Sequence, residues 1–164
     1  MIIRISFFFS LFISFNVYSK PIDDLEKIGE GVMSVMFWDV YRAQLYSSKK
    51  PYELSIRPQA LNIVYFRDID KKDLIDATED QWKKIGFSHQ NIDKWLVKLE
   101  TIWPNVTNNS QLTLRVEADK SYFYHNNELI GELNDADFGP AFIAIWLSEK
   151  TTRPALRLQL LGLK

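Results

Sequence analysis

The sequence predicts an α+β fold, an antiparallel sheet with helices packed largely on one face. Two observations lead there. Segments of two-residue apolar period and segments of helical period come in runs, in the order strands, two helices, three strands, two helices. Segregated runs of this kind mark α+β rather than a parallel sheet built from alternating strands and helices. The second observation is Asn126-Asn127, set between two short strand-like stretches. Asparagine tolerates the positive φ of a tight two-residue turn, so this pair marks an antiparallel hairpin.

Residues 1–19 read as a signal peptide rather than as part of the domain. One positive charge, Arg4, precedes an apolar stretch from Ile5 to Phe15, and small Ser19 follows with Val17 two places before it. That pattern predicts cleavage between Ser19 and Lys20. About eleven apolar residues are too few to cross roughly 30 Å of hydrocarbon. No further span and no cysteine for a lipid anchor occur. The mature domain, 20–164, is therefore expected in the periplasm or secreted, with no transmembrane span.

The first sheet segment, 32–47, reads as two strands or one long bent one. From Asp39 onward Tyr41, Ala43 and Leu45 share one side, and Val40, Arg42, Gln44 and Tyr46 the other. The chain turns near Pro51. The next strand is expected over 61–69, with Leu61, Ile63, Tyr65 and Arg67 on one face and Asn62, Val64, Phe66 and Asp68 on the other. Both faces are partly apolar, which predicts a central strand covered on both sides.

Asp70 stands where a helix N-cap belongs, with Asp73 in the first turn. That helix carries Leu74, Thr78, Trp82 and Ile85 along one stripe and ends at Gly86. A second helix runs from about Asn91 to Trp103 until Pro104 stops it. A strand at 111–118 alternates Leu112, Leu114, Val116 and Ala118 inward with Thr113, Arg115 and Glu117 outward. The hairpin follows. The third helix starts near the acidic stretch 134–137, and the fourth near Thr152, with Pro154 early in it.

Composition excludes several functions. The 164 residues carry a formal net charge of -1, and the basic residues are scattered, so no nucleic-acid partner is expected. There is no cysteine, which removes disulfides, thiolate metal sites and a cysteine nucleophile. His89 and His125 lie without metal-ligand spacing around them, so no metal is expected. Gly29-Glu30-Gly31 lacks the third glycine and following helix of a phosphate loop, and reads as a place where the first strand bends.

The ligand-lining candidates are the strand aromatics Trp38, Tyr41, Tyr46, Tyr65, Phe66, Tyr122 and Tyr124. Aromatics also simply fill cores. Arg67 is the sharpest of the polar candidates, because an arginine on an inward face needs a carboxylate. That carboxylate could belong to a ligand, or to Asp39, Asp68 or Asp70. Two Asn-x-Ser/Thr sequons at Asn105 and Asn108 indicate a surface loop.

Three stretches, taken in order, carry a resemblance: GEGVMSVMFWDVYRAQLY, then YFRDI opening a helix, then YFYHNNELIGELNDADFGPAFIAIWLSEKT. Together they resemble the bacterial chalcone isomerase-like proteins, small exported relatives of plant chalcone isomerase and of plastid fatty-acid-binding proteins. The likeness runs from about Gly29 to Gly162. It implies an open-faced β-sandwich with a ligand cleft between sheet and helices. In the plant enzymes an Arg, a Thr, a Tyr and an Asn are implicated in intramolecular ring closure; in the fatty-acid-binding relatives an Arg and a Tyr face the carboxylate. The region Gly29–Val35 holds no arginine to match the enzyme's, and residues 71–86 do not match the enzyme's Tyr and Asn motif. The enzyme's Thr falls near Tyr41, and Thr151 or Thr152 could stand in for a late Thr.

The resulting expectation is a domain that binds a small amphipathic, carboxylated ligand such as a fatty acid. Tyr41 and Tyr65 would supply hydroxyls and Arg67 the cation, with no cofactor and no assigned catalytic residue. The alternatives are an intramolecular lyase of chalcone isomerase type, and an interaction or assembly module whose cleft has closed.

Overall fold

A computed structural model describes residues 20–164, so the signal-peptide reading of 1–19 lies outside the described residues. Six strands form one antiparallel sheet in chain order: β1 (Glu26–Val35), β2 (Trp38–Ser47), β3 (Gln59–Tyr65), β4 (Gln111–Val116), β5 (Ser121–His125) and β6 (Glu128–Leu133). Helices α1 (Lys71–Lys84) and α2 (Ile92–Ile102) connect β3 to β4, and α3 (Phe138–Leu147) and α4 (Pro154–Leu160) follow β6. No helix among the described residues is long and apolar enough to cross a membrane.

The 32–47 segment resolves into a hairpin that turns at Met36-Phe37, and its first strand starts at Glu26, ahead of where alternation becomes readable. β3 ends at Tyr65, so Arg67 is not on the strand at all; it is exposed in the bend that leads to α1. The reason is Tyr65 itself. Its N–H donates to the Ser110 carbonyl at 2.9 Å and its carbonyl accepts from Asn109 N–H at 2.8 Å, which ends the ladder. β4 likewise stops at Val116, short of Ala118. Asp70 is the N-cap of α1 by position, but its side chain makes no capping bond. The Lys71 N–H is taken instead by Asn105 Oδ1 at 2.8 Å.

All four helices lie on one face. The cross-sheet row Gly29, Leu45, Leu61, Leu114, Phe123 and Gly131 locates them. Its glycine at each end is where a helix meets the sheet. A Cβ on Gly29 would lie 2.2 Å from the Gln159 carbonyl oxygen of α4, and one on Gly131 would lie 2.7 Å from Ile102 of α2. Gly31 likewise leaves room for Leu156 and Gln159. The first glycine pair therefore serves close approach of a helix, in addition to the register shift between Lys27 and Gly29. Between the helices and the sheet lies an aromatic core in which Trp82 Nε1 donates to the Ala141 carbonyl and Trp95 Nε1 to Asp135.

Among the described residues no helix covers the other face, yet Asn62 and Thr113 are buried there. They belong to a hydrogen-bonded row across four strands. Gln44 donates to Glu30 at 2.9 Å, Asn62 to Gln44 at 2.9 Å, and Thr113 to Asn62 at 2.8 Å. Each polar group in this row satisfies the next, so its burial carries no unpaired-group penalty. Arg115 ties the segment before β1 to the same face, with two hydrogen bonds to Asp24 at 2.6 and 2.8 Å and one to the Pro21 carbonyl at 2.8 Å. β3 is thus central and covered on both sides, one cover helical and the other polar.

Gly29→Ala forces the added methyl into α4 backbone that cannot rotate away. The expected loss is about 1–3 kcal/mol, read as a lower urea midpoint with unchanged denaturant slope.

Candidate functional site

A cavity of about 230 Å³ opens between the helical face of the sheet and helices α1 and α3. Its floor is apolar: Leu61, Ile63, Leu112, Leu114, Phe123 and Phe142. These arise from the inward alternation of β3, β4 and β5 and from one face of α3. Polar groups gather in two places along the lining, at the paired tyrosines Tyr41 and Tyr65 and where α1 approaches the loop before α4.

Tyr41 and Tyr65 are register partners on β2 and β3, with ring centroids 6.2 Å apart in an edge-on arrangement. Trp146 of α3 donates Nε1–H to the Tyr41 hydroxyl oxygen at 2.9 Å. That bond uses an acceptor site and leaves the Tyr41 O–H proton free to donate. Burial pushes the Tyr41 phenol up to about 12, although the Trp146 bond and the Arg153 charge pull the other way. Tyr65 is raised further, first by burial and then by the neighbouring Tyr41. Both are neutral hydrogen-bond donors at any physiological pH. Neither serves as a resident base.

Arg153, the residue before Pro154 at the start of α4, lines the cavity with Thr151 and Thr152. It is exposed and makes no ion pair among the described residues. Thr151 donates to the Ile145 carbonyl at 2.8 Å and Thr152 to Gln81 Oε1 at 2.8 Å, which fixes the loop that presents Arg153. Asp73 of α1 is the one carboxylate in the lining. Among the described residues no group of three or more His, Cys, Asp or Glu is placed to hold a metal ion.

The structure therefore brings two of the three sequence candidates together and leaves the third apart. Tyr41 and Tyr65 line the cavity, while Arg67 lies outside the lining, exposed, and is paired with none of Asp39, Asp68 or Asp70. Asp39 instead accepts from Ser34 at 2.6 Å and Asp68 from the Asn108 N–H at 2.8 Å. Of the other aromatics, Tyr46, Phe66, Tyr122 and Tyr124 are absent from the lining, and Trp38 is exposed at the hairpin tip. Arg153 was missed because it stands in a loop where alternation carries no information; its place before a helix-starting proline was the only sequence signal. The cleft is open rather than filled.

Residues 21–162 match the model of a protein family described as chalcone isomerase-like. An uncharacterized protein of Haemophilus influenzae is 26% identical over 155 residues, covering 93% of this chain and 77% of its own length. In the crystal structure of a fatty-acid binding protein from Arabidopsis thaliana the same fold recurs, with a TM-score of 0.67 at 12% identity, over 85% of this chain and 88% of that one.

The raised phenols give a pH expectation. A tyrosine whose folded value lies above its unfolded one favours folding while neutral, so its contribution is whole below about pH 10 and is lost as pH rises toward 12. Tyr41→Phe should remove about 2 kcal/mol of the alkaline decline in unfolding free energy. Denaturant midpoints measured across that alkaline range read it directly.

Proposed function

The chain belongs to the chalcone isomerase-like family, and on that premise we propose that it binds a small amphipathic carboxylated ligand, a fatty acid of modest length, and does not transform it. In this reading export by cleavage near Ser19 delivers it to the periplasm or medium. The acyl chain occupies the apolar floor. Its carboxylate meets Arg153, with the Tyr41 and Tyr65 hydroxyls as neutral donors alongside. No cofactor takes part.

One observation carries the reading: a largely apolar cavity has an exposed, unpaired guanidinium and two neutral phenols in its lining. A guanidinium suits a carboxylate because its fork matches the two oxygens. Size adds to this. At about 230 Å³ the space exceeds the roughly 150 Å³ of an apolar void that stays dry and takes a single benzene ring. It falls below the roughly 300 Å³ at which pockets for drug-sized molecules begin. A slim chain fits that range better than a two-ring chalcone. Fatty-acid binding by the Arabidopsis protein of the same fold supports the class of ligand.

Two measurements test it. Displacement of a fluorescent fatty acid by a series of saturated acids should show affinity rising roughly fourfold per added methylene, at about 0.8 kcal/mol each. The rise should level off once the cavity is full. No binding by any acid, with the protein folded, overturns the reading. Arg153→Ala should weaken binding by about 1–2 kcal/mol, the lower part of the range for a charged hydrogen bond because the side chain is exposed. Arg67→Ala should leave it nearly unchanged; the reverse result would return the carboxylate to Arg67.

A further inference from the structure

Two hairpins of the sheet reverse through two-residue turns that place a residue in the left-handed region. β5–β6 uses Asn126 and Asn127, at φ 49° and 70°, side chains that tolerate this region. β1–β2 uses Met36, at φ 56°, followed by Phe37. Met36 is 86% exposed, Phe37 94% and Trp38 73%, with Val32 and Val35 also exposed beside them. None belongs to the core or packs against it. An Asn-Gly pair would make the same turn with less strain and no apolar surface. Apolar side chains gathered at one exposed turn mark a site of contact with something outside the described domain.

Their position indicates what. Pairing of β2 with β3 starts at Tyr41 and Tyr65, so the pairs Ser34–Asp39 and Val35–Trp38 extend beyond β3 as a two-stranded arm. Its base is cavity wall, because Met33, Val40 and Tyr41 all line the cavity. Three arginines surround that base. Arg42 lies over the Phe66 ring at 5.7 Å, Arg67 follows Phe66, and Arg153 shares the lining with Met33 and Val40. None makes an ion pair among the described residues. Of the nearby carboxylates, Asp39 and Asp68 accept from Ser34 and Asn108, Glu30 accepts from Lys27 and Gln44 and feels the Arg42 charge, and Asp70 and Asp73 stand at the start of α1.

A protein partner would need a groove shaped to this convex tip, whereas a lipid surface needs no such fit. Met and Phe side chains enter the acyl boundary, an indole rests at headgroup level, and guanidinium groups meet phosphates. We propose that the Met36–Trp38 tip of the β1–β2 hairpin inserts into the surface of a lipid bilayer. Insertion holds the cavity mouth, the solvent-exposed part of the lining at Arg153 beside Met33 and Val40, against the membrane, so that an amphipathic ligand passes between bilayer and cavity. The exchange step rests on the ligand-binding reading above; insertion does not.

The chain has no cysteine, so Phe37→Cys accepts one environment-sensitive fluorophore. Lys98→Cys on α2, which packs at the opposite edge of the sheet against β6, is the control. The mature chain, residues 20–164, is mixed with vesicles of phosphatidylethanolamine and phosphatidylglycerol, with and without acyl-brominated lipid. The label at 37 should shift to the blue and be quenched by bromine, and the label at 98 should do neither. A label at 37 that stays unchanged, or two labels that respond alike, overturns insertion; so does a response at 37 to protein extract but not to vesicles. A chain carrying both Met36→Asn and Phe37→Gly keeps a favourable turn. It should take a fluorescent fatty acid from solution as the parent does and from vesicles several-fold more slowly. Equal rates from vesicles overturn the exchange role. Failure of the parent to bind the acid from solution removes the ligand reading while the label result still decides insertion.

Discussion

The seating of α4 directly on the backbone of β1 is the constraint on which the rest of the structure depends. Gly29 and Gly31 leave no side chain between strand and helix, and the Gln159 and Leu160 carbonyls come close enough to exclude any Cβ at Gly29. Contact at this distance fixes where α4 begins. It therefore fixes where the loop 151–153 presents Arg153 beside Tyr41. At the other end of the same row Gly131 accepts Ile102 of α2. With helices held down at both edges, the centre of the row is left to larger side chains, and the cavity sits among them.

The two faces of the sheet solve burial differently. On the helical face, aromatic rings and aliphatic side chains fill the interior, and the Trp82 and Trp95 indole N–H groups find a backbone and a carboxylate partner. On the other face, a chain of side-chain hydrogen bonds from Glu30 to Thr113 lets polar residues be buried without loss. The helical face can then hold a cavity, because the sheet's stability does not depend on filling it completely. Burial in its wall has a chemical consequence. It drives both tyrosine phenols upward, so the two phenols offer protons to an acceptor and take none away. That is the chemistry the proposed carboxylate ligand needs.

Ligand access and the hairpin arm are coupled by shared residues. Met33, Val40 and Tyr41 belong both to the arm's base and to the cavity wall. A movement or docking of the arm is felt at the mouth through two strands and no intervening loop. The exposed apolar tip and the three arginines around the base then belong to one working end of the molecule, while the polar face and the α2 edge remain apart from it.

The sequence by itself determined the class of fold, the order of its runs of strands and helices, and the inward apolar residues of the interior strands. Alternation in 111–116 and helical spacing in 92–102 are unambiguous because the apolar residues of each element fall on one face. It also singled out Tyr41 and Tyr65, since a hydroxyl on an inward face is an anomaly visible in one dimension. Tertiary structure alone decided the cation. Arg67 continues the strand's two-residue period on paper, but backbone bonds from Tyr65 to Ser110 and Asn109 end β3 before that period reaches it. Arg153 faces the cavity because a helix packs against two glycines more than 100 residues earlier in the chain. A periodic pattern reports on the burial of its own element. It carries no record of which distant backbone will come close enough to place a charge.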